Sequence, residues 1–166
     1  MLVEHAKLMT LLKDAGEIVG RKKLQKIVYI SKKLDLPFQE KYNFHMFGPY
    51  SEELTLRMEE LCDLGFVSEI KEQKAGYYQY RYCLTEDGQA FLSKYPSALA
   101  KKEQLIQLLN EESSKFLELV STILYFDELS VEEVTEKVHT LKKKQNYSEE
   151  DIQAAYQFIQ KVQHLH

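Results

Sequence analysis

Tryptophan is missing from this 166-residue chain, and cysteine occurs only twice, proline three times and glycine six times. Two thiols, Cys62 and Cys83, cannot supply a disulfide framework or a metal quartet. Each reads as a small buried hydrophobe rather than a nucleophile. No apolar run approaches the ~20 residues that a membrane span requires. The first fourteen residues are amphipathic with charges scattered through them, so they read as folded chain and not as a signal peptide. The expected compartment is the cytoplasm. None of the five histidines (His5, His45, His139, His164, His166) stands at a metal-ligand spacing from another ligand residue. There is no glycine-rich phosphate loop, nucleophile elbow or dinucleotide fingerprint. No catalytic residue, cofactor or metal is expected, and the chain reads as a non-enzymatic protein.

What is plentiful is tyrosine, with eleven residues, and charge, with 22 Lys+Arg against 26 Asp+Glu for a net −4. Residues 1–96 hold 14 basic and 14 acidic side chains, and residues 97–166 hold 8 and 12, so the second part supplies the whole −4. Neither part has the basic excess that a phosphate backbone usually selects.

The hydrophobic periodicity predicts helices over Val3–Lys13 and from Gly20 to about Leu34, the second with Leu24, Ile27, Val28, Ser31 and Leu34 on its core side. Lys41–Phe47 alternates and predicts a strand, broken at Gly48-Pro49. Ser51 followed by Glu52-Glu53 marks a third helix, which Gly65 stops. Phe66–Glu72 and Tyr77–Leu84 read as a hairpin turning at Gly76, and Thr85 caps another helix that ends before Pro96. From Ser97 on every signal is helical, with a break near Ser113-Ser114 and capping boxes opening at Ser130 and Ser148. The fold class expected is α+β and mostly helical. It would comprise a winged helix-turn-helix module over 1–96 and an all-helical extension over 97–166.

Two stretches carry resemblances. Leu61-Cys-Asp-Leu-Gly-Phe-Val67 with Tyr82-Cys-Leu-Thr-Glu-Asp-Gly88 resembles the third-helix end, wing and following helix of winged-helix regulators. Lys23-Leu-Gln-Lys-Ile-Val-Tyr29 with Phe47-Gly-Pro-Tyr-Ser51 resembles the YwgA-like group of uncharacterised bacterial proteins. The same residues are more distantly similar to the Panacea (SocA-like antitoxin) domain, although the turn here begins with Phe47 where that domain has tyrosine. The Panacea resemblance implies a domain that binds and neutralises or delivers another protein.

The third helix would normally enter the major groove. At 100° per residue its outward stripe is Glu52, Leu56, Glu59 and Asp63. Carboxylates there oppose the phosphate backbone that supplies most DNA affinity. On the second helix Lys22, Lys26, Tyr29 and Lys33 share the face opposite Leu24 and Val28, with no acid between Ile18 and Leu34. This strip suits an acidic partner or a phosphate backbone, and otherwise reads as an exposed solubilising face. Phe47, Gly48, Pro49 and Tyr50 form a rigid aromatic turn suited to lining a groove. Lys71, Lys74 and Arg81 on the ribbon would be wing contacts, with Tyr78, Tyr80, Tyr82 and Leu84 facing the core together. The run Lys142-Lys143-Lys144 is expected to complement a helix dipole.

A protein partner is the expectation, used in an antitoxin-like or adaptor-like way. The alternative is a winged-helix transcriptional regulator gripping duplex DNA with the second helix and the wing. The C-terminal helices would form a homodimer surface or an extra docking face, and in the regulator reading a dimer through them would set the half-site spacing. A small-molecule sensor is a third reading.

Overall fold

The computed structural model describes residues 2–95, 99 and 102–165. In chain order the elements are α1 (Val3–Ala15), β1 (Ile18–Val19), α2 (Arg21–Lys33), β2 (Asn43–His45), β3 (Gly48–Tyr50) and α3 (Glu52–Asp63). Then follow β4 (Val67–Lys74), β5 (Tyr77–Leu84), α4 (Glu86–Lys94), α5 (Glu103–Glu111), α6 (Ser114–Tyr125), α7 (Val131–Leu141) and α8 (Glu149–Gln163). The protein is therefore mixed α/β and mostly helical, with two small antiparallel sheets.

The punctuation works as the residue types demand. Ser51, Thr85, Ser113, Ser130 and Ser148 each accept a backbone N–H at the start of a helix, and the last two are complete capping boxes. The long hairpin pairs Val67 with Leu84 and Lys74 with Tyr77. The two-residue β1 joins its outer side, giving strand order β1-β5-β4. Two residues carry too little alternation to be read as a strand, so β1 has no signature in the sequence. At Gly88, in the first turn of α4, a Cβ would stand 2.2 Å from the Phe66 carbonyl oxygen. Only glycine lets that helix lie so close to the start of β4.

Gly48-Pro49 does not break the chain as expected. The turn falls at Met46-Phe47, and Gly48–Tyr50 forms the return strand, pairing His45 with Gly48 and Asn43 with Tyr50. Proline is tolerated because this sheet has only two strands and each has a free edge. Met46 consequently sits at the hairpin tip, 81% exposed, instead of sharing the inward face of Tyr42 and Phe44.

The helical second part is not a satellite. α6 lies along α2 and α5 along α1, so one hydrophobic core runs from Leu8 and Leu12 through Ile27 and Ile30 to Leu119, Ile123 and Ile159. The junction expected at residues 96–97 falls outside the described residues. α2 is the central element. Every residue from Leu24 to Ser31 is buried, although its pattern reads as amphipathic. On the ribbon Tyr82 is buried and Tyr80 half-buried, whereas Tyr78 is 57% exposed. The hairpin outruns the core that was expected to cover it. On α7 Val134 and Val138 are buried, but Val131 and Leu141 at its ends are exposed.

Candidate functional site

The lysine strip on α2 is where the structure departs most from expectation. Lys26 is 1% exposed and Tyr29 5%, so neither can meet an outside partner in this conformation. The acidic counterpart is supplied from within the chain. Glu118 on α6 is fully buried, and its Oε1 lies 2.5 Å from the Lys22 ammonium, in ion-pairing range without hydrogen-bond alignment. Its Oε2 accepts from Gln145 at 2.8 Å and stands 3.2 Å from the ammonium of Lys142. Further along, Lys33 pairs with Asp127 at 2.8 Å. The ring of Tyr29 packs edge-on against Tyr42 and tilted against Tyr125. α6 and the turn after it thus meet the strip at Lys22, Tyr29 and Lys33, whereas Lys26 is held by the β2–β3 hairpin.

Lys26 donates to the Pro49 carbonyl at 2.8 Å, and Lys142 to the Met46 carbonyl at 2.8 Å. The β2–β3 hairpin therefore presents backbone oxygens to two buried ammonium groups. This explains the close approach at Gly48, where a Cβ would meet Lys26 Nζ at 3.6 Å and Thr122 Oγ1 at 3.4 Å. With φ at +90°, the position also favours glycine on backbone grounds. Burial is the main cause that pulls Lys26 down from 10.5 to about 7; Glu118 opposes this, while Lys142 and Lys22 add to it. Burial likewise lowers Lys142. Lys142 is therefore not a solvated dipole partner like its exposed neighbours Lys143 and Lys144, but a core cation.

Lys22, Lys26, Phe47, Gly48, Pro49 and Tyr50 are brought together. Lys22 sits 4.8 Å from the centre of the Phe47 ring, which is 53% exposed. Tyr50 bonds Thr55 at 2.9 Å and stacks on His45. Tyr29 and Lys33 lie farther along α2, away from this cluster. The ribbon residues stand apart from it. Lys71 lies over Tyr78 at 4.1 Å and Lys74 is exposed, but Arg81 is held by Glu17 and by Glu72 at 3.1 Å. Its charge is thereby neutralised in place. Glu118 could be singled out from the sequence as a charge on an otherwise apolar face, among Leu117, Leu119 and Val120 of α6. Lys142, just past the end of α7 between exposed Leu141 and exposed Lys143, carried no such signal.

On α3 the expected facing holds. Leu54, Met58 and Leu61 are buried, while Glu52, Leu56, Glu59 and Asp63 are exposed. Among the described residues none of these three carboxylates has an ion-pair partner, whereas Glu53 is bridged to Arg57 and Glu60 contacts His5. Between α2, the β2–β3 hairpin and α3 lies a cleft of about 440 Å³. Among the described residues no three His, Cys, Asp or Glu side chains gather as a metal ion would need, and no helix is long and apolar enough to cross a membrane. Burial raises the Cys62 thiol, the opposite of an activated nucleophile.

These features define a mixed α/β protein organised around a buried lysine–glutamate cluster, with an acidic helix face and one cleft beside it. No family model matches the chain. It is 57% identical over 165 residues, 99% of each chain, to "Uncharacterized protein YwgA" of Bacillus subtilis (strain 168). The chain belongs to the YwgA family.

Proposed function

We propose that the chain is a non-enzymatic protein-interaction module of winged-helix type, acting in the cytoplasm in an adaptor-like or antitoxin-like way. The topology supports the class. The order α1, β1, α2, α3, β4, β5 with strand order β1-β5-β4 is compatible with a winged helix that carries the β2–β3 hairpin as an insertion between its second and third helices. One observation carries the choice of partner. On this reading α3 stands where a recognition helix would, and its exposed Glu52, Glu59 and Asp63 have no ion-pair partner among the described residues. A duplex would have to bring its phosphates against three free carboxylates. Together with Leu56, which is 58% exposed, the face suits a protein surface with basic residues around an apolar socket. The DNA-binding alternative loses support because the α2 lysines assigned to it are engaged within the fold. Among the described residues, Lys71 and Lys74 remain as the ribbon lysines without an ion-pair partner.

The test pairs two measurements on the full chain. Anisotropy with a 30-base-pair duplex at low salt is expected to show no binding above background. Affinity purification is expected to retain a basic partner that is lost from a folded Glu52→Lys/Glu59→Lys/Asp63→Lys variant. Tight duplex binding that falls steeply with salt overturns the reading in favour of a regulator. Light scattering on the same samples decides whether the C-terminal helices hold a homodimer.

A further inference from the structure

The cleft between α2, the β2–β3 hairpin and α3, at about 440 Å³, falls in the ~300–1,000 Å³ range of small-ligand pockets. Its walls divide by chemistry. Leu24, Leu54 and Met58 contribute an apolar side, and Arg21, Lys22 and Lys26 the cations. Arg21 is already engaged, 3.7 Å from Glu69 and stacked 3.7 Å over Tyr80. Lys22 and Lys26 are not so well balanced. They share one carboxylate, Glu118, with a third ammonium from Lys142. Three cations against one anion leave the cluster with uncompensated positive charge whenever Lys26 is protonated.

Two further observations point the same way. Lys22 is the least buried member, with a side chain 34% exposed against 1% for Lys142. Its ammonium lies beside the exposed Phe47 and can reach a ligand from the solvent side. In addition, α2 opens with Arg21-Lys22-Lys23, has no acid in its first turn and gains no side-chain cap from Gly20. Helix N-termini favour negative charge, and with Arg21 engaged by Glu69 and Lys23 by the Asn110 carbonyl, Lys22 is the first-turn cation that faces the cleft. Glu59 also lines the cleft. It would repel a second negative group, which selects a compact anion over a polyanion.

We infer that this cleft binds a small amphipathic organic anion, its acidic head meeting Lys22, with the buried Lys26 ammonium adding its field from behind, and its apolar body lying on the side of Leu24, Leu54 and Met58. The inference rests on the cleft alone and does not depend on what α3 binds. Binding should be linked to protonation of Lys26, which Glu118, Lys22 and Lys142 face. A bound anion raises the affinity of Lys26 for its proton, so the complex tightens from pH 8 to pH 6.

The probe pair is 8-anilinonaphthalene-1-sulfonate and its uncharged relative N-phenyl-1-naphthylamine, titrated into the full chain. The sulfonate is expected to bind saturably, one per chain. The uncharged compound should bind at least tenfold more weakly, and Lys22→Gln should weaken the sulfonate at least fivefold. Amide shift changes in the unsubstituted protein should centre on Lys26, Tyr50 and Thr55, a readout that needs no variant. Displacement by octanoate or by octyl phosphate supports the site and tells a carboxylate head from a phosphate head. Displacement by neither, equal affinity for both probes, or shifts centred away from the cleft would overturn the inference.

Discussion

Replacing Glu118 by glutamine keeps the shape of the side chain and removes only the charge. In the native protein that charge faces Lys22 at 2.5 Å and Lys142 at 3.2 Å, with Lys26 close enough to feel it. Lys26 and Lys142 are each 1% exposed, so water cannot take over. Removing one partner of a buried ion pair costs ~3–5 kcal/mol, because the remaining charge is stranded. For a chain of this size each kcal/mol lowers the melting temperature by ~2–4 °C, so the drop should fall between about 6 and 20 °C. Urea unfolding at pH 7 followed by circular dichroism measures it. The cost should shrink at pH 9, where the already depressed Lys26 sheds its proton. Adding Lys142→Met to Glu118→Gln should restore part of the loss, since the second substitution removes a stranded cation. A Glu118→Gln protein within about 1 kcal/mol of the parent at pH 7 would refute the reasoning, for it would mean the cluster is hydrated or neutral.

The pH profile of the unsubstituted protein follows from the same burial. Lys26 titrates near 7 when folded and near 10.5 when unfolded. The unfolded chain therefore binds more protons between those values, and stability should rise from pH 7 toward 10 in a urea series. Above pH 10 the sign reverses, because burial holds the Tyr29, Tyr82 and Tyr147 phenols protonated beyond their usual range. A flat profile would mean that Lys26 keeps its ordinary pKa in the folded protein, against the depression that its burial implies. Gly88→Ala should cost ~1–3 kcal/mol by overpacking against the Phe66 carbonyl, and an unchanged melting temperature would contradict that contact. Ser130→Ala and Ser148→Ala, each deleting a complete capping box, should cost ~1 kcal/mol apiece. Amide exchange at the starts of α7 and α8 would report the fraying.

What could be read in advance follows from the range over which each cause acts. Caps, stops and the long hairpin are decided by residues within four or five positions of one another. Ser51, Gly65, Gly76, Thr85, Ser130 and Ser148 therefore mark their elements in the sequence as they do in the fold. The outward stripe of α3 was legible for the same reason, being geometry internal to one helix. The fate of α2 was not. Its polar strip looks like a solvated or partner-binding face because the carboxylates that pair with its lysines, Glu118 and Asp127, and the Tyr125 ring that packs on Tyr29 lie more than 90 positions later. Lys142 was misread in the mirror image of that error. Its local setting, at a helix C-terminus, gave a sufficient explanation, and only the packing of α7 near the β2–β3 hairpin reveals another.

The absence of acids along α2 is a genuine signal whichever partner it meets. A helix with Lys22, Lys26 and Lys33 on one side and none of the usual interspersed carboxylates must find negative charge outside itself. In this protein most of that demand is satisfied internally by α6 and its following turn, but not all of it. Lys33 has Asp127, Arg21 has Glu69, and Lys22, Lys26 and Lys142 are left with Glu118 alone. The unmatched remainder is concentrated at the N-terminal half of α2, where the cleft opens and the helix dipole adds its own positive end. Charge matched within the fold holds the two parts of the chain together, and the charge left over marks where an outside anion would act.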